Sequence, residues 1–108
     1  MAVYINLTPH VINLNDGRYF EPSGEIARVE STFTEYPDTD IQEMSYGEVI
    51  GLPEESHDGV FYIVSGVVAT ALNGVRSDVV TPATGSKDCI RNDKGFIKSV
   101  PFFYTYQP

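Results

Sequence analysis

Apolar and β-branched residues recur along the chain in short runs that are separated by turn residues. Val3–Leu7 and Val11–Leu14 are β-type runs. Asn15-Asp16-Gly17 follows them and is a hairpin signal, because Asp-Gly tolerates the positive φ of tight turns. Further strands are predicted at residues 18–20, 26–29, 41–46, 49–52, 78–81 and 96–106.

One segment combines a strand pattern with a helix pattern. Val60–Val64 is the most apolar strand candidate, and we expect it to lie centrally in a sheet. Ser65 is a good N-cap residue. The apolar residues between Val67 and Leu72 then follow helical spacing, and Gly74 stands where a helix would stop. The pattern predicts one helix of about two to three turns.

Short strands at close spacing with one helix predict an α+β domain, mainly antiparallel β-sheet with the short helix packed on it. Residues 1–108 fit a single domain, with no internal repeat or linker. The alternation of residues 26–29 places Arg28 on the same face as Ile26. Pro101 marks the last strand as an edge or bulged strand, because proline has no backbone donor.

Charge is distributed unevenly along the chain, whose formal net charge is −8. Residues 1–60 contain twelve acids and two bases, whereas residues 61–108 contain three acids and five bases. Binding to DNA or RNA requires a broad basic face, so seven bases in total argue against a nucleic-acid polymer as partner. A small phosphorylated ligand needs only two or three donors and is not excluded.

The sequence lacks the motifs of common catalytic and metal sites, including the phosphate-binding loop, the dinucleotide fingerprint and the zinc-protease motif. One cysteine and two histidines cannot form a closed zinc site without carboxylates. We therefore predict no catalytic residue, metal or cofactor. A solvated acidic turn is favoured over a cation site at Asp38, Asp40 and Glu43. The first residues do not resemble a secretory signal, and no apolar run could span a membrane, so we expect a soluble intracellular protein.

Five of the seven bases lie between Arg76 and Lys98. Within this stretch, residues 81–86 are small and hydroxyl-rich, and such loops can form anion sites through their backbone N–H groups. Arg91 supplies a planar fork for phosphate, and Asn92 and Asp93 can contact a base or a ribose. The aromatic residues that could stack on a base are Phe61, Tyr62, Phe102, Phe103, Tyr104 and Tyr106. The alternative is a surface loop with solvated charges.

Six segments, in this order and spacing, resemble a family of small phage and prophage proteins that begin with an Asn-Leu-Thr-Pro-His signature. The resemblance covers nearly the whole chain. Through these proteins, the chain also resembles the phage anti-Thoeris sponge family, Thoeris anti-defence protein one. The matching segments are residues 6–10, 24–29, 46–53, 62–65, 76–82 and 90–95.

This resemblance implies a non-catalytic protein that sequesters a cyclic ADP-ribose isomer, or in some members a cyclic oligonucleotide, in the cytoplasm of the infected bacterium. It also implies homodimers, sometimes assembled into hexamers, with nucleotide pockets at subunit interfaces. The usual Arg-Asp pair is here Arg91-Asn92-Asp93, so either Asn92 or Asp93 takes the carboxylate's role. The implied contacts are Arg91, Asn92 and Asp93, followed by Arg28, Phe61, Arg76 and Asp78.

Two other functions remain open from the sequence. A small enzyme could act on such a nucleotide, with His10 or Asp93 as the acid–base group, and would show turnover and a pH optimum. A phage structural or host-protein-binding module would use the aromatic tail, residues 102–106, as an exposed contact patch.

Overall fold

The computed structural model describes residues 2–55 and 58–105 and consists mainly of β-strands. The sequence positions of His57 and Tyr106 lie outside the described residues. In chain order, the elements are β1 (Val3–Asn6), β2 (Ile12–Asn13), β3 (Tyr19–Phe20), β4 (Arg28–Glu35), β5 (Gln42–Ile50), β6 (Val60–Ile63), α1 (Gly66–Leu72), β7 (Val79–Pro82), β8 (Ile90–Arg91), β9 (Ile97–Ser99) and β10 (Phe103–Tyr104).

The centre of the molecule is a four-stranded sheet in the order β1-β6-β7-β10. β6 lies in its interior, as its apolar sequence predicts, and pairs in parallel with both β1 and β7. β10 pairs antiparallel with β7. The other strands form the hairpins β2–β3, β4–β5 and β8–β9, so four of the six described pairings are antiparallel. The predicted α+β class with one short helix is confirmed, although the parallel β6–α1–β7 crossover was not anticipated.

Helix α1 is fixed at both ends by its capping residues. The hydroxyl oxygen of Ser65 accepts a hydrogen bond from the backbone N–H of Val68, at 3.4 Å, which confirms the predicted N-cap. Asn73 takes the left-handed conformation after the last turn, and its N–H donates to the carbonyl of Ala69. No helix among the described residues is long and apolar enough to cross a membrane.

The two faces of the central sheet are covered by different elements. On one face, side chains from β1, β6 and β7 pack with α1 and with the base of the β4–β5 hairpin. Seven buried residues form this core: Leu7, Ala27, Tyr62, Val64, Val68, Ala69 and Val79. Alternate residues of β1 and β6 point to the opposite face. They include Tyr4 and Phe61, and the ring of Tyr4 contacts both Phe61 and Phe20 of the β2–β3 hairpin.

The β2–β3 hairpin is attached to the sheet through Asn6, which is 2% exposed. Its amide nitrogen donates to the carbonyl oxygens of His10, at 2.7 Å, and Phe20, at 2.9 Å. Its amide oxygen accepts hydrogen bonds from the backbone N–H and the hydroxyl of Thr8. The Asn-Leu-Thr-Pro-His signature is therefore a structural junction, in which the side chain of His10 is exposed and its backbone carbonyl is engaged.

Three sequence-predicted elements have different bounds in the structure. Residues 41–46 and 49–52 were predicted as two runs, but β5 is continuous from Gln42 to Ile50. β4 extends to Glu35, six residues beyond the predicted run, because it pairs with β5 along nearly its whole length. The run predicted from Phe96 is divided around Pro101 into β9 and β10, which belong to different sheets.

Replacing Asn6 with Ala should lower the free energy of unfolding by about 2–3 kcal/mol, because a buried group left without its hydrogen-bond partner costs about 1–3 kcal/mol. Urea denaturation of the variant and the parent measures the change. Asn13→Ala is the matched control, since Asn13 lies in β2 with an exposed side chain, and its change should stay within about 0.5 kcal/mol. Equal effects for the two variants would contradict a structural role for the signature.

Candidate functional site

An aromatic cavity of about 240 Å³ opens on the face of the central sheet opposite α1. Phe61 from β6 and Val80 from β7 form its floor, and Tyr4 of β1 lies beside them. The remaining wall comes from the β2–β3 hairpin, from the segment that connects β9 to β10, and from the first residue of β10: Leu14, Arg18, Pro101, Phe102 and Phe103. The cavity thus gathers strands that are far apart in sequence.

The rings at this site form one continuous cluster around Tyr4. Its ring centroid lies 5.3 Å from that of Phe20 in an edge-to-face arrangement, and 5.8 Å from that of Phe61. Phe103 lies 5.1 Å from Tyr4 and 5.7 Å from Phe20. These separations are in the range in which aromatic pairs stabilise one another, so the rings are held in place and present a preformed apolar surface.

Arg18 adds a positive charge to the cavity wall. The turn before it is closed by Asp16, whose carboxylate accepts hydrogen bonds from the backbone N–H of Arg18 at 3.0 Å and from its Nε at 2.9 Å. The backbone hydrogen bond is the main cause of a lowered pKa for Asp16. Among the described residues, the terminal nitrogens of Arg18 donate no hydrogen bond, so its guanidinium has donors available for a ligand.

Arg76 and Asp78, both predicted as ligand contacts, form a buried ion pair with each other. The Nε and Nη2 atoms of Arg76 each lie 2.9 Å from one carboxylate oxygen of Asp78. The Asp78 side chain is 2% exposed and that of Arg76 is 15% exposed. Hydrogen bonding to Asp78 raises the pKa of Arg76. The pair immediately precedes β7. Its burial and bidentate geometry are those of a structural clamp, by which we mean an ion pair that stabilises the fold.

Arg91, Asn92 and Asp93 lie together on the β8–β9 hairpin and are exposed. Arg91 donates from Nη1 to the carbonyl oxygen of Gly95 at 2.8 Å. The Asn92 amide oxygen accepts from the backbone N–H groups of Lys94 and Phe96, at 2.9 and 3.0 Å. Asn92 therefore organises the turn, which leaves the exposed carboxylate of Asp93 as the better candidate for a ligand contact.

The seven predicted residues do not form one site within a protomer. Phe61 lines the cavity, whereas Arg28 is exposed on β4, a strand whose base packs on the helix side of the sheet. The Arg76–Asp78 pair precedes β7, and Ala83, which accepts a hydrogen bond from the Cys89 thiol, follows it. An extended chain covers about 16 Å from residue 78 to residue 83. The basic cluster of the sequence is thus divided between opposite ends of β7.

Sequence reasoning missed Arg18 and Tyr4 as site residues. The hairpin signal at Asp16-Gly17 was correct, since Gly17 has φ +95°, but it did not show that the hairpin folds over the sheet. The hydrogen bonds of Asn6 to the carbonyls of His10 and Phe20 determine that position. The available signal in the sequence was an asparagine within the apolar run at residues 3–7, and it could not identify its hydrogen-bond partners.

Within the described residues, no three His, Cys, Asp or Glu side chains come together as metal ligands. No protein-family model, curated protein or solved structure matches the chain. The site itself combines fixed aromatic rings with one guanidinium that has donors available.

Asp78→Asn should lower the free energy of unfolding by about 3 kcal/mol, because the substitution leaves Arg76 largely buried without its counter-charge. Asp93→Asn, the same change at an exposed position, should alter it by less than about 0.5 kcal/mol. Urea midpoints of both variants measure the difference. A loss below about 1 kcal/mol at Asp78 would mean that the pair is not a structural clamp.

Proposed function

We propose that this protein is a non-catalytic sponge that binds and sequesters a cyclic nucleotide immune signal, a cyclic ADP-ribose isomer or a cyclic oligonucleotide. The observation that carries the proposal is the aromatic cavity with Arg18 in its wall. A base stacks on aromatic rings, and a guanidinium pairs with phosphate through two parallel hydrogen bonds. The base and the phosphate of a nucleotide would therefore each have a binding partner within one cavity.

The net charge supports a small ligand rather than a polymer. At −8, the body repels nucleic acid, whereas one or two local cations are enough for the phosphates of a nucleotide. The resemblance to the phage anti-Thoeris family adds the biological setting, which is the cytoplasm of an infected bacterium. Sequestration alone is sufficient for immune evasion there, so the proposal requires no general acid, general base or metal.

The size of the cavity supports a site completed by a second subunit. About 240 Å³ is below the roughly 300–1,000 Å³ of common small-molecule pockets. One stack and one guanidinium–phosphate pair with two hydrogen bonds provide about 4–9 kcal/mol, from which the cost of association must be subtracted. Micromolar binding requires about 8 kcal/mol. Contacts from a neighbouring copy, including Arg91 and Asp93 of its β8–β9 hairpin, would supply the difference, so we propose a homodimer or a higher homo-oligomer.

A second candidate is a phage structural or host-protein-binding module. Exposed rings next to the cavity favour it, since Phe102 is 51% and Tyr104 is 38% exposed. Such a module would retain a host or virion protein in a pull-down and would leave small nucleotides in solution.

Ultrafiltration of the protein with a panel of cyclic ADP-ribose isomers and cyclic di- and trinucleotides tests the sponge. One nucleotide should be missing from the filtrate and should be recovered chemically intact after heat denaturation. Recovery of a different compound would make the protein an enzyme. Passage of the whole panel into the filtrate would overturn the proposal and favour the protein-binding module.

For a nucleotide retained in this way, Arg18→Gln should weaken binding about 10- to 100-fold. A charge-assisted hydrogen bond contributes about 1.5–3 kcal/mol, and each 1.4 kcal/mol is about tenfold in affinity. Isothermal titration measures the change. Arg28→Gln is the matched control, because it removes the same group from β4 on the other side of the sheet. An affinity of Arg18→Gln equal to that of the parent would rule out the aromatic cavity as the site.

The same titration with Arg91→Gln examines the contribution of the β8–β9 hairpin. If a neighbouring copy completes the site through this hairpin, affinity should fall by about tenfold, the effect of losing one charged contact of roughly 1.4 kcal/mol. Unchanged affinity would remove residues 91–93 from the ligand site.

A further inference from the structure

The β4–β5 hairpin is an amphipathic arm. Residues directly opposite in an antiparallel pair share a face, and successive residues alternate. The pairs Ser31–Tyr46, Phe33–Met44 and Glu35–Gln42 therefore lie on one face, and Thr32–Ser45 and Thr34–Glu43 lie on the other. We name the first the arm face. It presents three large apolar side chains to solvent, with Phe33 61%, Met44 48% and Tyr46 49% exposed.

This arm projects from the body of the molecule. Residues 30–48 are all exposed, and the molecule extends 52 Å along its longest axis. The radius of gyration is 15.9 Å, compared with about 13 Å for a compact domain of this length. A two-stranded ribbon is at best marginally stable by itself. An apolar face on such a ribbon would therefore be stabilised by a surface that covers it.

The charge of the arm restricts what that surface can be. Residues 28–50 contain six acids and one base, a net charge of −5. Two arm faces packed on each other would bring these charges together, which disfavours an arm-to-arm contact. The complementary surface should combine positive charge with exposed apolar groups.

The β8–β9 hairpin of the same chain has that composition. Residues 86–99 contain four bases and two acids, a net charge of +2 in a protein of net charge −8. Its apolar side chains are also exposed, with Ile90 47%, Phe96 68% and Ile97 36% accessible. Within one protomer, the arm is rooted against α1, whereas this hairpin lies against β2, so the two surfaces face different sides of the molecule.

We propose that the arm face docks on the β8–β9 hairpin of a second copy of the chain. Two-fold symmetry then repeats the contact, so that each subunit contributes one arm and one hairpin. Opposite charge orients the two surfaces, and burial of Phe33 and Phe96 excludes water from the contact. The proposal uses no residue that lines the aromatic cavity, although it shares the β8–β9 hairpin with the proposed ligand contacts Arg91 and Asp93.

Sedimentation velocity of the full chain between about 1 and 100 µM tests for this dimer. In 50 mM salt the protein should sediment as a dimer, and in 500 mM salt the dissociation constant should rise at least about tenfold, because salt screens the opposed charges. A chain that remains monomeric at 100 µM in low salt overturns the proposal.

Two variants on one strand test the arm face. Phe33→Glu should abolish the dimer, whereas Thr32→Glu adds the same charge to the adjacent, opposite face and should leave it intact. Both side chains are exposed in the protomer, so circular dichroism should show that both variants remain folded. A dimer that survives Phe33→Glu overturns the assignment of the interface.

A charge exchange identifies the partner surface. Glu30→Lys/Glu35→Lys/Glu48→Lys changes the net charge of residues 28–50 from −5 to +1, and Lys94→Glu/Lys98→Glu changes that of residues 86–99 from +2 to −2. Each variant alone should be monomeric, because its arm and hairpin now carry the same sign. Mixed together, they should form a heterodimer in which both contacts are again between opposite charges. Absence of a heterodimer overturns arm-to-hairpin docking. A dimer of the hairpin variant alone would overturn it in favour of another contact.

The nucleotide assay and the sedimentation of the parent protein together separate this inference from the proposed sponge. If a monomeric parent protein retains a nucleotide, the dimer inference and the completion of the site by a second copy both fail, and sequestration itself stands. If the parent dimerises through these surfaces and retains no nucleotide, the sponge fails and the dimer inference stands.

Discussion

The position of the β2–β3 hairpin depends on one buried side chain, the amide of Asn6. It lies at the end of β1 and satisfies the carbonyls of His10 and Phe20 and the donors of Thr8 at the same time. All of its hydrogen-bonding groups are buried together, so any other placement of the hairpin would leave some of them unsatisfied. This junction holds Phe20 against Tyr4 and Arg18 beside the cavity. The geometry of the candidate site thus follows from a residue that does not line it.

The few cations of this acidic protein have different structural roles, although five of the seven lie close together in the sequence. Arg76 is used internally, because its guanidinium neutralises the buried carboxylate of Asp78. Arg18 is paired through Nε alone and retains donors beside the rings. The bases of residues 86–99 remain on an exposed hairpin. Arg76 and the bases of residues 86–99 are close in sequence, but the fold places them in different parts of the molecule.

Local features were predictable because their causes are local. The Ser65 cap, the Asp16-Gly17 turn and the central position of β6 depend on residues within a few positions of each other. The length of β4 was not predictable, since residues 30–35 have no apolar alternation and are held as a strand by pairing with β5. The candidate site was predicted in part: Phe61 lies in the cavity, but its neighbours come from strands that meet only after folding.

Two separate features, the exposed arm and the small cavity, both favour association with a second subunit. The arm leaves Phe33 and Met44 in water on a ribbon that a single protomer does not cover. The cavity is smaller than common ligand pockets. Each deficit would be relieved by a second subunit, the first through apolar burial and the second through additional donors. An arm docked on the β8–β9 hairpin of a neighbouring copy would also fix the exposed side chains of Arg91 and Asp93, the two hairpin residues that we propose as ligand contacts.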